Sequence, residues 1–379
     1  MSARTTIIGR DPASGAGIAV ELDAGRIAAI RPASAPAGAW LSAGLVDLQV
    51  NGYGGLDLNA PGLTPEMVAD LVAMLARLGT TTFLPTLITA TEAQITTALR
   101  TIAEARRRFP AVAHAVPGVH VEGPSISPQD GPRGAHPAEH VRAPDLAEFE
   151  RWQAAGGGLV KLVTLAPEHA GAPDYIRALT AQGVIVALGH SAATPDQIRA
   201  AVDAGARLST HLGNGVAATL PRHPNLLWTQ LADDRLTASF IADGHHLSAD
   251  AFRAMLRAKG RDRAILVSDS VALAGQPPGR YRQPVGGDVE ISADGRIGVA
   301  GTPYLAGAGL PLAADLARAM AMAGLTAQEA LPLVTENPGR LLGMHGRLAI
   351  GEPADLVLWR AEGDTLAVDT VWVAGQEVR

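Results

Sequence analysis

Between about residue 45 and residue 268 the chain repeats one pattern, a short apolar run followed by a longer stretch with apolar residues every third or fourth position. Short apolar runs bounded by turn residues read as strands buried on both faces, and the longer spacing reads as helices with one buried face. The pattern predicts strands at Leu45–Val50, Thr81–Leu87, Gly118–Glu122, Val160–Thr164, Val184–Gly189, Leu208–His211, Ala238–Ala242 and Ala264–Ser268. Helices such as Ile95–Arg107 and Ala249–Lys259 carry the apolar stripe, and Thr91-Glu-Ala-Gln94 and Thr194-Pro-Asp-Gln197 have capping-box spacing, the second with Pro at its opening position. A succession of βα units predicts an α/β fold, a closed (β/α)₈ TIM-type barrel over residues 43–345. Gly287–Ala300, with Asp294-Gly295 between alternating runs, predicts a β-hairpin inserted near 287–300.

The two ends lack this pattern. Thr5–Ile8, Ile18–Leu22 and Arg26–Ile30 near the start, and Leu356–Trp359 and Thr370–Val373 near the end, are short β-like runs between turn residues. They predict a small β-sandwich domain built jointly from residues 1–42 and 346–379.

Composition narrows the chemistry. In 379 residues there are 42 Gly and 26 Pro, 47% hydrophobic and 18% charged residues, the profile of an ordinary globular protein. A formal charge of −6 with scattered Arg gives no basic stripe, so nucleic acid is not an expected partner. No apolar run is long enough to span a bilayer and the start has no signal-peptide core, which makes the cytoplasm the expected compartment and excludes a membrane partner. Cysteine is absent, so any metal must be held by His and carboxylate.

In such barrels side chains at the ends of the strands converge on one open face. Asp47, Gln49 and Asn51 close the first predicted strand, Glu122 the third, His190 the fifth, His211 the sixth and Asp269 the eighth, while His245 and His246 follow the seventh. Singly, each has a bland reading: a strand-end His is more often structural than a ligand, Glu122 could pair with an Arg, and Asp269 could cap a turn. Together they are hard to obtain from core packing, which disfavours charge. Glu122, His190 and His211 supply three ligands for a divalent ion and leave a position for water, the pattern of a catalytic site. A carboxylate in reach, here Asp269, takes the proton of an attacking water and passes it to a leaving nitrogen. Lys161 could bridge metals if carbamylated, but its early position in the strand favours a structural role, and Gly156–Gly158 lacks the Lys and Ser/Thr of a phosphate loop, which leaves a helix-to-strand connection. His114, His140, His169 and His345 show no partners in the sequence.

The stretches GLVDLQVNGYGG, TTFLPTLIT, GVHVEGPSISPQDGPRGAHP, KLVTLAPE, LGHSAAT, STHLGNG, IADGHH and LVSDSVALAG, followed by TENPGRLLG and GEPADLVLW, resemble the amidohydrolase superfamily. Within it they are similar to the N-acetylglucosamine-6-phosphate deacetylases, over nearly the whole chain. Most of the superfamily carries His-x-His at the end of the first strand, where this chain has Gln49 and Asn51; the deacetylases that share these amides are similar in using one metal. The resemblance therefore implies a single divalent ion per subunit, Zn²⁺ or alternatively Fe²⁺, on Glu122, His190 and His211. It implies that His246 polarises the acetamide carbonyl, that Asp269 activates water and protonates the amine, and that His136, Asn214 and Gly215 contact the sugar. Arg222 matches a phosphate-binding Arg contributed by the partner subunit, which implies a homodimer. His245 is an addition without a role, and the departures at GNGVAATLPRHP and at Ala308, where Ser is usual, fall where substrate is recognised. The expected activity is hydrolysis of the acetamide of an N-acetyl amino-sugar 6-phosphate. The alternatives are another N-acyl substrate, such as an unphosphorylated N-acetylhexosamine or an N-acyl amino acid, and an inactive barrel that only binds.

Overall fold

A computed structural model describes residues 5–283, 287–302, 304–344 and 346–378, so His345 lies outside the described residues. Eight parallel strands form one sheet in sequence order: Leu45–Val50, Thr80–Ile88, Val119–Glu122, Val160–Leu165, Ile185–Leu188, Leu208–Ser209, Thr237–Phe240 and Ala264–Leu266. The last strand returns to the first, with the Asp269 N–H donating to Gln49 O at 3.0 Å and the Asn51 N–H to Ser270 O at 2.8 Å, which closes the barrel. All six residues of the first strand are buried, as expected where both faces are covered. Alternation sorts the side chains: Leu162, Ile265 and Val267 group with Leu84 and Leu48 from other strands, while Val163 and Leu266 group with helix residues such as Ile176 and Phe252.

Local chemistry fixes where the surrounding helices start. Thr91 Oγ1 accepts from the Gln94 N–H at 3.2 Å and Gln94 Oε1 from the Thr91 N–H at 3.1 Å, and Thr194 and Gln197 make the same reciprocal pair ahead of Pro195. Each box satisfies amide groups that the first helical turn leaves open. The helix Leu146–Gly156 stops at Gly157, whose φ of 63° suits a residue without a Cβ, so this glycine run is a helix terminus leading into the fourth strand.

The chain ends meet in one continuous seven-stranded sheet. Its order is Gln376–Val378, Thr365–Val373, Leu356–Glu362, Ala39–Ala43, Thr5–Arg10, Gly17–Asp23 and Arg26–Pro32. The antiparallel pairing of Ala39–Ala43 with Leu356–Glu362 joins the two ends. Asp355 ties this sheet to the barrel through His114 Nε2 at 2.7 Å, giving one of the unassigned histidines a structural partner. The insertion after the eighth strand is larger than the expected hairpin. Gly287–Ile291 and Ile297–Val299 pair around the Asp294-Gly295 turn, and Gly279–Gln283 adds a third antiparallel strand that its charged sequence GRYRQ had hidden.

Candidate active site

The barrel strands deliver their polar ends to one cavity of about 370 Å³, lined among others by Asn51, Glu122, His136, His190, His211, Asn214, Gly215, His246 and Asp269. Backbone conformation contributes to this convergence. Among the described residues five non-glycine positions have a left-handed φ, and three of them are His190 at 48°, His211 at 27° and Asp269 at 48°. Such a conformation costs about 1–3 kcal/mol per residue and persists only where the surroundings impose it, most often at functional sites. The other two, Ala24 and Ala374, each precede a glycine in a strand-to-strand turn.

Glu122 is the centre of the cluster. It is 2% exposed, and two imidazoles address its Oε1: His211 Nε2 at 3.0 Å and His190 Nε2 at 3.5 Å. His136 Nε2 lies 3.7 Å from Oε2. Gln49 Nε2 donates to Oε1 at 3.0 Å, and Asn51 Nδ2 donates to Asp269 Oδ1 at 2.8 Å. The two amides that stand in place of imidazoles on the first strand thus hold the two carboxylates of the site.

The residues fit a divalent cation. His190 Nδ1 donates to Pro132 O at 2.9 Å; a carbonyl only accepts, so in the neutral ring the proton sits on Nδ1 and the Nε2 lone pair faces Glu122. Among the described residues no Lys or Arg pairs with Glu122, and His211 Nδ1 and Asn51 Oδ1 are buried without a protein partner. A buried carboxylate ringed by imidazoles and left without a fixed countercharge is a donor set for a metal ion. Glu122, His136 and His190 each offer a ligand atom within 4.8 Å of the others, so the structure brings His136, expected at the sugar, up to the cluster as a fourth candidate. His211 is nearer to Glu122 than His136 is, and shares Oε1 with His190.

Burial alone would raise the Glu122 carboxyl, but where His190 and His211 carry a proton on Nε2 their bonds and charge outweigh it and hold the group well below the ordinary carboxylate range. Burial and the Glu122 charge push Asp269 the other way, up to about 6, against the opposing pull of His211, His246 and Asn51. Two neighbouring carboxylates driven apart in this manner are suited to different tasks, one to binding a cation and the other to exchanging a proton.

Asn214 and Gly215 border the cavity, whereas Arg222 is exposed and absent from its lining. His245 is turned to the insertion, with Nε2 3.3 Å from Asp294 O. Lys161 is exposed at the start of its strand. Sequence reasoning missed several groups. Thr89 Oγ1 lies 2.9 Å from His136 Nδ1, and Asp243 Oδ2 lies 2.8 Å from His246 Nδ1. Asp57 and Asn59 line the cavity just past the first strand. The spacing Asp-x-x-His in IADGHH was a legible signal for the second pair; nothing local marks the first.

The amidohydrolase family pattern matches residues 40–378. The chain is 34% identical to an N-acetylgalactosamine-6-phosphate deacetylase of Escherichia coli O157:H7, over 87% of this chain and 85% of that one. It is 32% identical to an N-acetylglucosamine-6-phosphate deacetylase of Bacillus subtilis, over 86% and 81%. A solved structure of a mutant N-acetyl-D-glucosamine-6-phosphate deacetylase from Mycobacterium smegmatis, in complex with N-acetyl-D-glucosamine-6-phosphate, superposes with a TM-score of 0.89 at 32% identity, covering 100% of both chains.

Proposed function

The chain belongs to the amidohydrolase family, and from that premise we propose that it is a metal-dependent deacetylase that hydrolyses the acetamide of an N-acetyl amino-sugar 6-phosphate to acetate and the free amine. One observation carries the reading: the Glu122 cluster, Asp269 and His246 border the same cavity, an arrangement that suits cation ligands, a proton carrier and an imidazole acting on one reacting group.

Glu122, His190 and His211 would hold the ion, with His136 beside them and available to a sugar hydroxyl. A divalent cation there supplies Lewis acidity, polarising an amide carbonyl and acidifying water. Zn²⁺ suits a His₂-carboxylate set, as does Fe²⁺. Asp269 accepts the proton of the attacking water and delivers it to the departing nitrogen, for which a carboxyl raised by burial is suited. Asn51 keeps Asp269 aimed during this exchange, and Gln49 does the same for Glu122. His246 is placed to stabilise the carbonyl oxygen as it gains charge, and Asn214 and Gly215 to contact the sugar.

A specific observation supports a second reading. Among the described residues the cavity lining contains no Lys or Arg, and Asp57 adds a third carboxylate to those of Glu122 and Asp269. Either Arg222 of a second copy supplies the phosphate contact in a homodimer, or the substrate is an unphosphorylated N-acetylhexosamine. We favour the first. A charged sugar phosphate does not cross a bilayer unaided and stays in the compartment where it is made, which favours the cytoplasm for the reaction.

Acetate release from N-acetylglucosamine 6-phosphate, N-acetylgalactosamine 6-phosphate and their unphosphorylated counterparts, with one equivalent of Zn²⁺ or Fe²⁺, tests the reading. Turnover of a 6-phosphate, with KM raised by Arg222→Ala, supports it. Turnover of the free sugars alone moves the assignment to the second reading, and no acetate from any of them removes the substrate class.

A further inference from the structure

Asp243 stands three residues before His246 in the loop after the seventh strand, and its side chain is 2% exposed. Its two oxygens are divided between two tasks. Oδ1 accepts from the backbone N–H groups of His245 and His246, both at 2.9 Å, while Oδ2 lies 2.8 Å from His246 Nδ1. Arg318 Nη1 donates to Asp243 O at 3.0 Å, so the backbone of the same residue is pinned from the helix Leu312–Ala323.

The geometry points to Asp243 as the positioning residue of the reaction, orienting the His246 ring through Nδ1 and supplying the countercharge that lets Nε2–H donate to the substrate carbonyl. This inference rests on the deacetylase reading above. An ionised carboxylate only accepts, so the ring must carry hydrogen on Nδ1. A neutral ring held this way turns a bare Nε2 to the cavity, where it can only accept. With the Asp243 charge beside it the ring can hold both protons and present a charge-assisted donor to an oxygen gaining negative charge. Burial alone would raise the Asp243 carboxyl, but the bond and charge of His246 bring it down to about 2, so the countercharge persists at neutral pH. A residue that merely closed the loop would need only Oδ1; the use of Oδ2 on the imidazole is what the loop does not require.

The test uses the metal-loaded protein. In ¹⁵N-histidine-labelled wild type, with the His246 signals identified by their loss in His246→Gln, Nδ1 and Nε2 should both be protonated; a bare nitrogen at either position overturns the proposal without any variant of Asp243 being needed. Asp243→Asn keeps the volume and an acceptor for the loop amides but presents an amide NH₂ or a neutral oxygen to the ring. It should lower kcat on the order of 10- to 100-fold with KM little changed. In a His246→Gln background the same substitution should cost less than about twofold, because its effect passes through the ring. Multiplication of the two losses, or an Asp243→Asn enzyme with wild-type kcat, overturns the proposal. If wild type releases acetate from no N-acetyl sugar, the deacetylase reading fails, while the Nδ1 spectrum still reports on the pair.

Discussion

The cavity has two unlike linings. One comes from the ends of the third, fifth, sixth and eighth barrel strands and presents Glu122, His190, His211 and Asp269, three of them at left-handed backbone positions. The other comes from the chain past the eighth strand and from the insertion, and presents Val271, Leu273, Val289, Tyr304 and Leu305. The first is held by the ladder that closes the barrel and by amides dedicated to its carboxylates. The second is carried by a three-stranded excursion with its own small core of Leu273, Val289, Ile291 and Ile297. The scaffold thus carries the polar groups of the site, and the insertion adds an apolar wall that rests on its own small core and can vary without disturbing the barrel.

If that division is real, substitutions in the two linings must fail differently. Asp269→Asn should have the largest effect, lowering kcat by about 10²–10⁴-fold while bound metal is retained, as read by steady-state kinetics and elemental analysis. Retained turnover would remove Asp269 as the proton carrier. Glu122→Gln should weaken metal binding on the order of 100-fold in a chelator competition, with activity recovered at high metal concentration.

Beneath the polar lining, Asp47 is 1% exposed and accepts from the N–H groups of Gln49 and Ser268, both at 3.2 Å. Burial is the main cause that raises its carboxyl from 3.8 to about 7. With the folded value above the unfolded one, its contribution is fully present below about pH 4 and is lost as pH rises through about 7. Wild type should therefore lose roughly 2–3 kcal/mol relative to Asp47→Asn between pH 5 and pH 8. A difference in unfolding midpoint that does not change with pH would contradict this. In the apolar lining Tyr304→Ala should cost only about 1 kcal/mol, a severalfold rise in KM with kcat and metal content unchanged. A large fall in kcat there would erase the distinction between the linings.

The same division governs what could be read from the sequence. The barrel strands were legible because burial on both faces forces continuous apolar runs, and the observed first strand is Leu45–Val50 as the pattern predicts. The candidate ligand residues were legible because an acid or imidazole at a strand end conflicts with packing unless it has a task. The short sixth strand, Leu208–Ser209, was over-extended to His211 because the backbone turns left-handed there, and no residue type announces that. Gly279–Gln283 escaped notice since a strand of an excursion covered on one side need not be apolar. Thr89 and Asp243 were missed for another reason: their work lies in contacts to His136 and His246, and a hydrogen bond between loops leaves no period in a sequence.

The proposed hydrolytic centre is built around one cation on Glu122 and its imidazoles. Titrating metal-stripped protein with Zn²⁺ or Fe²⁺, while recording both bound metal and acetate release from N-acetylglucosamine 6-phosphate, tests it most directly. Activity should rise in step with occupancy and level off at one equivalent per chain. Acetate release from metal-free protein, or activity that appears only as a second equivalent binds, would contradict it.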